Sequence, residues 1–143
     1  ELLSEAQWEA AARGTDARSY PWGEEEPSQK LANFDGQIGR PSPVGAYPEG
    51  AGPYGTLDQA GNVWEWCLDA WDRKAYKNRG RQRDPVVTAE ERTERARRVV
   101  RGGSWNFPSS SLHTAVRFGF RAAYQRQHVG FRVVVRFGPE HGT

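Results

Sequence analysis

Residues 61–68 read GNVWEWCL, an apolar run dense in aromatic groups behind a glycine and an asparagine, and its composition marks it as a strand. Downstream, residues 98–105, RVVRGGSW, resemble a second strand that ends in a tight Gly-Gly turn. Residues 115–122 alternate, with Val116, Phe118 and Phe120 on one side and Arg117, Gly119 and Arg121 on the other. Residues 129–137, VGFRVVVRF, give the strongest strand signal in the chain. Upstream, Ser4-Glu5-Ala6-Gln7 is a capping box, with Leu3 and Trp8 at the staple positions and Gly14 as a left-handed stop. The spacing predicts a helix over about residues 5–13. Between residues 15 and 57, six prolines interrupt the chain and no periodicity persists, so a long irregular loop is expected. The sum is one α+β domain over residues 1–143, with short antiparallel strands, one or two helices and extensive irregular loops.

At 143 residues the chain is long enough for one ordinary domain. Six Trp, six Phe and five Tyr supply bulky core groups despite a hydrophobic fraction of 36%. The net charge of +2 generates no field that would select nucleic acid or a membrane, and no apolar run approaches the ~20 residues of a membrane span. Basic residues dominate residues 73–101, where a solvated insertion with a short charged helix in its second half competes with a polyanion-binding patch. Of the 20 basic residues only Lys30, Lys74 and Lys77 are lysine. Such a bias fits a GC-rich or thermophilic source, or frequent bidentate pairing. Cys67 is the single cysteine, which excludes an internal disulfide and any cysteine-cluster metal site.

The segments LSEAQWEAAARG, YPWG, LANFDG, GNVWEWCLD, RVVRGGSW and VGFRVVV follow one another in an order that resembles the formylglycine-generating-enzyme (sulfatase-modifying-factor) family, a branch of the C-type lectin fold. The resemblance spans residues 3–135 and implies that the family's further N-terminal part is lacking here. It also implies where oxidase chemistry would sit, on two copper-binding thiolates shortly after the GGS-aromatic turn. Those places fall at about Phe107 and Leu112, neither of which ligates copper, and Cys67 reads as a buried inert thiol. No copper and no enzymatic activity are therefore expected. The family's structural calcium implies Asn62 and Glu65 as ligands, with Asn33 and Asp35 near a second, less favoured site. The alternative has Asn62 capping a turn and Glu65 pairing with an arginine.

Between Trp105 and Val129 the sequence departs from the family's habit. Phe107, Ser109, Ser110, Leu112, His113, Val116, Phe118, Phe120, Tyr124 and His128 mix rigid aromatic anchors with small hydroxyls, as a paratope does. The variable proteins of diversity-generating retroelements include members of this family that randomise positions near the C-terminal end, starting from adenines. An asparagine codon with its first two bases randomised yields Phe, Ser, Leu, His, Val or Tyr, and never Lys, Glu, Gln, Met or Trp. All ten residues obey that restriction. The resemblance thus implies a non-catalytic binding module for a protein or other macromolecular ligand. Three alternatives compete: Val116, Phe118 and Phe120 as the core face of a strand; a structural domain whose patch packs on other polypeptide; and a partner domain of an oxidoreductase such as a sulfoxide synthase, whose iron histidines come partly from elsewhere. His113, His128 and His141 are scattered and show no ligand spacing. Ser104, His113 and Asp69 lack a nucleophile-elbow sequence and read as chance co-occurrence.

Overall fold

Ser4 starts the helix as the sequence predicts: its hydroxyl accepts from the Gln7 amide at 3.1 Å, and the Gln7 side chain accepts from the Ser4 amide at 3.0 Å. The helix, α1, spans Glu5–Arg13 in the computed structural model, which describes residues 1–77, 85–87 and 96–135. Strands β1 (Trp64–Ala70), β2 (Arg97–Arg101), β3 (Arg117–Arg121) and β4 (Val129–Gly130) form one sheet in the order β3-β2-β1-β4. β1 pairs antiparallel with β2, β2 antiparallel with β3, and β1 parallel with β4. The expected charged helix in the second half of residues 73–101 lies outside the described residues.

Positive backbone angles fix where the strands begin and end. Gly61 (φ 78°) and Asn62 (φ 63°) are left-handed, so β1 starts at Trp64 rather than at residue 61. Gly102 (φ 96°) and Gly103 (φ 75°) stop β2 at Arg101, the Gly-Gly turn that the sequence predicts. A Cβ on Gly103 would lie 2.5 Å from Ser111 Oγ, so that turn requires glycine on steric as well as conformational grounds. The strongest strand signal is the one most altered. Past Gly130 the chain leaves β1 and runs beside the first residues, with Val134 and Glu1 exchanging backbone hydrogen bonds at 2.9 and 3.1 Å. Phe131, Val133 and Val135 consequently face solvent, Phe131 at 67% exposure.

The two faces of the sheet differ in kind. Toward α1 point Glu65, Cys67 and Asp69 of β1, Val99 and Arg101 of β2, and Arg117 and Gly119 of β3. Trp8, Ala12, Cys67 and Val99 make an apolar core there, edged by Leu3 and Trp71. Around it lies a set of buried charges. Arg117 grips Glu5 through Nε and through Nη2 at 2.7 Å, Arg101 meets Glu5 at 3.5 Å and also pairs with Glu9, and the Glu5 amide donates to Asp69 at 2.7 Å. Arg101, at 0% exposure, also donates to the carbonyls of Thr114 and Val116 and stacks over Trp8. A second small core of Ala32, Phe34, Ala60 and Leu112 anchors the long loop, with Tyr20 and Trp22 packed against it.

Breaking a buried ion pair from one side costs about 3–5 kcal/mol, because the other charge stays desolvated. Glu5→Ala strands Arg117 and deprives Arg101 of one of its carboxylates, so the urea midpoint should fall by an amount in that range. An unchanged midpoint would show that these contacts do not hold α1 to the sheet.

Candidate functional site

The sheet face turned away from α1 is aromatic. Trp64 and Trp66 of β1 and Phe118 and Phe120 of β3 share it with Val100 of β2, which stands between them as the register partner of both Trp66 and Phe118. Trp64 is buried and forms the floor. Phe107 meets it edge-on at 5.4 Å, Phe118 lies at 5.9 Å and Phe120 at 6.3 Å. Phe120 also contacts Phe118 at 5.2 Å and Trp66 at 6.2 Å, and stacks on Tyr124 at 4.6 Å. His128 closes the ring of contacts, 5.8 Å from both Phe107 and Tyr124. Three separate segments therefore converge on one surface: the turn after Gly103, strand β3, and the loop that leads into β4.

Burial within this cluster is graded. Phe118 is 41% exposed, whereas Phe107, Phe120, Tyr124 and His128 are half-buried, largely against one another. The rings are thus neither the interior of the domain nor free side chains; they tile a platform with one open side. Burial lowers the His128 pKa below the ordinary histidine value, and the nearby Arg126 charge lowers it further. His128 Nε2 lies 3.1 Å from the Tyr124 hydroxyl, and its Nδ1 lies 3.5 Å from the Asn106 amide nitrogen. Since a neutral histidine is favoured in the fold, stability contributed here is present above the ordinary histidine range and is lost as pH falls through the lowered value.

Of the ten residues expected at the site, five assemble in this cluster. Ser109 and Ser110 are exposed on a neighbouring 3-10 turn, Ser109–Leu112. His113 stands apart, 5.9 Å from Tyr20, whose ring stacks on Trp22. Val116 is half-buried in the turn before β3, its amide bonded to the His113 carbonyl. Leu112 must be removed from the set: at 1% exposure it belongs to the core beneath the long loop. The alternation of Phe118 and Phe120 does mark one face of a strand, but that face is the open one. Sequence reasoning missed Trp64, Trp66 and Asn106 as members, because they come from framework motifs.

The two ligands expected at the first metal site, Asn62 and Glu65, are otherwise engaged, whereas Asn33 Oδ1 at the second is buried without a hydrogen-bond partner. Both Glu65 oxygens accept from Arg132, each at 2.7 Å, and one also accepts from the Trp8 indole at 2.7 Å. A carboxylate held bidentate by a guanidinium does not fit a calcium shell. Burial works against the charge on Arg132, yet its hydrogen bonds to Glu65 hold its pKa above the usual value. Asn62 clasps Ser42, accepting from its amide at 2.9 Å and donating to its carbonyl at 3.3 Å. Of the alternative, the structure shows the arginine-paired Glu65, while Asn62 ties its own segment to Ser42 instead of capping a turn. Asn33 donates to the Arg40 carbonyl at 3.0 Å, and no group of three or more His, Cys, Asp or Glu able to hold a metal occurs among the described residues. Cys67 is buried, and burial pushes its thiol far up, as expected of an inert group. Ser104, His113 and Asp69 share no contact: Ser104 bonds Asn106, and Asp69 bonds the start of α1.

Residues 1–137 match the model of the sulfatase-modifying factor enzyme 1-like domain. The chain belongs to that family. Among relatives of this domain, hercynine oxygenase of Mycobacterium tuberculosis is 38% identical over 133 residues, covering 88% of this chain and 30% of that protein. Formylglycine-generating enzyme of Thermomonospora curvata is 38% identical over 122 residues, covering 73% of this chain and 38% of that protein. The solved structure of Treponema denticola variable protein 1 superposes with a TM-score of 0.77 at 27% identity, covering 92% of this chain and 45% of that one. The domain thus has the C-type lectin-like fold of this family, and it spans well under half the length of these relatives. One expectation is overturned. Relatives this similar are named as an oxygenase, so the missing thiol pair does not remove the domain from enzymes. Among the described residues, no helix is long and apolar enough to cross a membrane.

If the cluster is a platform rather than a core, its rings can be cut back without unfolding the domain. Phe118→Ala and Tyr124→Ala should each lower the melting temperature by only a few degrees, on the order of 1 kcal/mol, because both are already partly solvated. Trp64→Ala, by contrast, removes a fully buried indole and should cost about 3–5 kcal/mol. Unfolding of the Phe118 and Tyr124 variants would make these residues core.

Proposed function

We propose that this domain recognises a ligand through the aromatic face built from Phe107, Phe118, Phe120, Tyr124 and His128 over Trp64. The observation that carries the proposal is the convergence of these side chains from three segments onto the side of the sheet that α1 leaves open. A contiguous, partly solvated aromatic surface of this kind marks interaction sites. Each well-buried anchor would contribute about 2 kcal/mol, so two or three of them would dominate the affinity. Ser109 and Ser110, exposed on the neighbouring 3-10 turn, flank the platform in sequence, while His113 and Val116 stand apart from it. The codon restriction these positions obey, together with the likeness to Treponema denticola variable protein 1, supports a retroelement variable protein whose ligand is a protein or other macromolecule.

A second setting for the same face has its own support. The 38% identity to hercynine oxygenase favours a domain that lines a catalytic centre whose metal ligands are supplied by other polypeptide. Within the described residues His113 and His128 stand in separate clusters, consistent with a contribution of shape and contacts rather than of metal ligands.

Two measurements separate the settings. The neighbouring DNA should contain a near-copy of the stretch coding for residues 105–132 that differs only at adenines. Calorimetric titration with hercynine should give no heat of binding. A locus without such a copy, together with hercynine binding that Phe118→Ala abolishes, would replace the variable protein with the oxygenase partner.

A further inference from the structure

Ser104 is fully buried, and its hydroxyl meets Asn106 Oδ1 at 2.9 Å. A buried hydroxyl without an acceptor is costly, so the Asn106 amide is held with its oxygen toward Ser104. Its NH2 group then faces His128 Nδ1 at 3.5 Å. In that orientation the amide NH2 faces Nδ1 as a donor, which favours the neutral tautomer with Nδ1 bare and the ring proton on Nε2. From Nε2, 3.1 Å away, that proton is donated to the Tyr124 phenol oxygen. The phenol's own proton is left to point away from the histidine. Phe120 stacks on the Tyr124 ring at 4.6 Å, and the Arg126 guanidinium lies 5.2 Å from its centroid. Arg126 is thus the cation against this ring, while the Arg98 guanidinium is turned to the Leu68 carbonyl at 2.9 Å.

We infer that the aromatic face takes a ligand that joins an aromatic or apolar body to a carbonyl or carboxylate oxygen, with the Tyr124 hydroxyl as the donor to that oxygen and His128 as the positioning residue. The inference rests on the recognition reading above and adds the chemistry of the ligand. Stacking on Phe118 and Phe120 supplies the apolar contact. Arg126, over the Tyr124 ring, disfavours a cationic group in the same place. The arrangement is sensitive to protonation. A second proton on His128 would place an N–H on Nδ1, opposite the Asn106 NH2. The ionisable groups against His128 are Tyr124 and Arg126; Phe107, Phe120 and Asn106 are uncharged. Binding should therefore weaken as pH falls below the ordinary histidine range of about 6.5.

The test uses three small probes, phenylacetate, phenylacetamide and benzylamine, titrated against the whole chain while the ring signals of Phe118, Phe120 and Tyr124 are followed by NMR. Phenylacetate and phenylacetamide should bind more tightly than benzylamine. Tyr124→Phe, which keeps the ring, should weaken their binding by roughly two- to tenfold, as expected for one lost hydrogen bond. His128→Ala should weaken it similarly and remove the pH dependence. Nitrogen-15 spectra should show His128 protonated on Nε2 and bare on Nδ1. Equal binding of benzylamine, an unchanged affinity in Tyr124→Phe, or a proton on Nδ1 overturns the inference and leaves the recognition face standing. If no probe moves the ring signals, the inference on ligand chemistry is overturned too, and the recognition reading is decided separately by the neighbouring DNA.

Discussion

The domain is organised by charge buried on one side of its sheet. Glu5, at the start of α1, meets Arg117 from the edge strand and Arg101 from the strand inside it, while Asp69 of β1 accepts from the Glu5 amide. Glu65, next in sequence to the indole floor, is closed by Arg132 and Trp8. Pairs of this sort add little net stability, because desolvation offsets most of the attraction. They do fix a register. An arginine whose carboxylate lies across the sheet on the helix side must point that way, and its neighbours in the strand must point the other. Arg117 and Gly119 toward α1 thus dictate Phe118 and Phe120 away from it. Gly119 is part of the same constraint, since a Cβ there would fall 2.6 Å from the Trp71 ring.

Much of this was legible in the sequence, for reasons that can be named. The capping box gave α1 its limits because its chemistry is local. The alternation of residues 115–122 gave a strand and its two faces because side-chain period follows from backbone geometry. Pattern alone could not say which face was covered. Phe118 and Phe120 look like core by composition, and only the pairing of Arg117 with a glutamate 112 positions away shows that the charged face is the buried one. Residues 129–137 misled for the converse reason. Their apolar run satisfies every local criterion for a strand, but Arg132 is drawn inward to Glu65 and the chain beyond turns to pair with its own first residues. Leu112 was assigned to the surface by the company it keeps in sequence. Its place in a core with Ala32, Phe34 and Ala60 depends on a loop whose path no periodicity announces. The abundance of arginine over lysine has at least one structural correlate, since Arg117, Arg132 and Arg18 each grip a carboxylate with two nitrogens.

The aromatic platform and the family's enzymes pose the functional question from two directions. The places expected for the thiol pair hold Phe107 and Leu112, and a relative 38% identical to this chain is named hercynine oxygenase. What the two settings share is a surface whose members come from turns and a strand edge, resting on Trp64 and Val100 and leaving the charged side to hold the domain together. Such a division lets the displayed side chains vary while the scaffold persists, and it equally lets one face be shaped for a small substrate.

These rings meet solvent from one side, on a scaffold secured from the opposite side. NMR of the whole chain with a neutral, soluble nitroxide measures this exposure directly, since the radical broadens the signals of side chains it can reach. Ring protons of Phe118, Phe120 and Tyr124 should broaden strongly, while those of Trp8 and Trp64 stay sharp. Sharp signals from Phe118 and Tyr124, as protected as Trp8, would contradict the account.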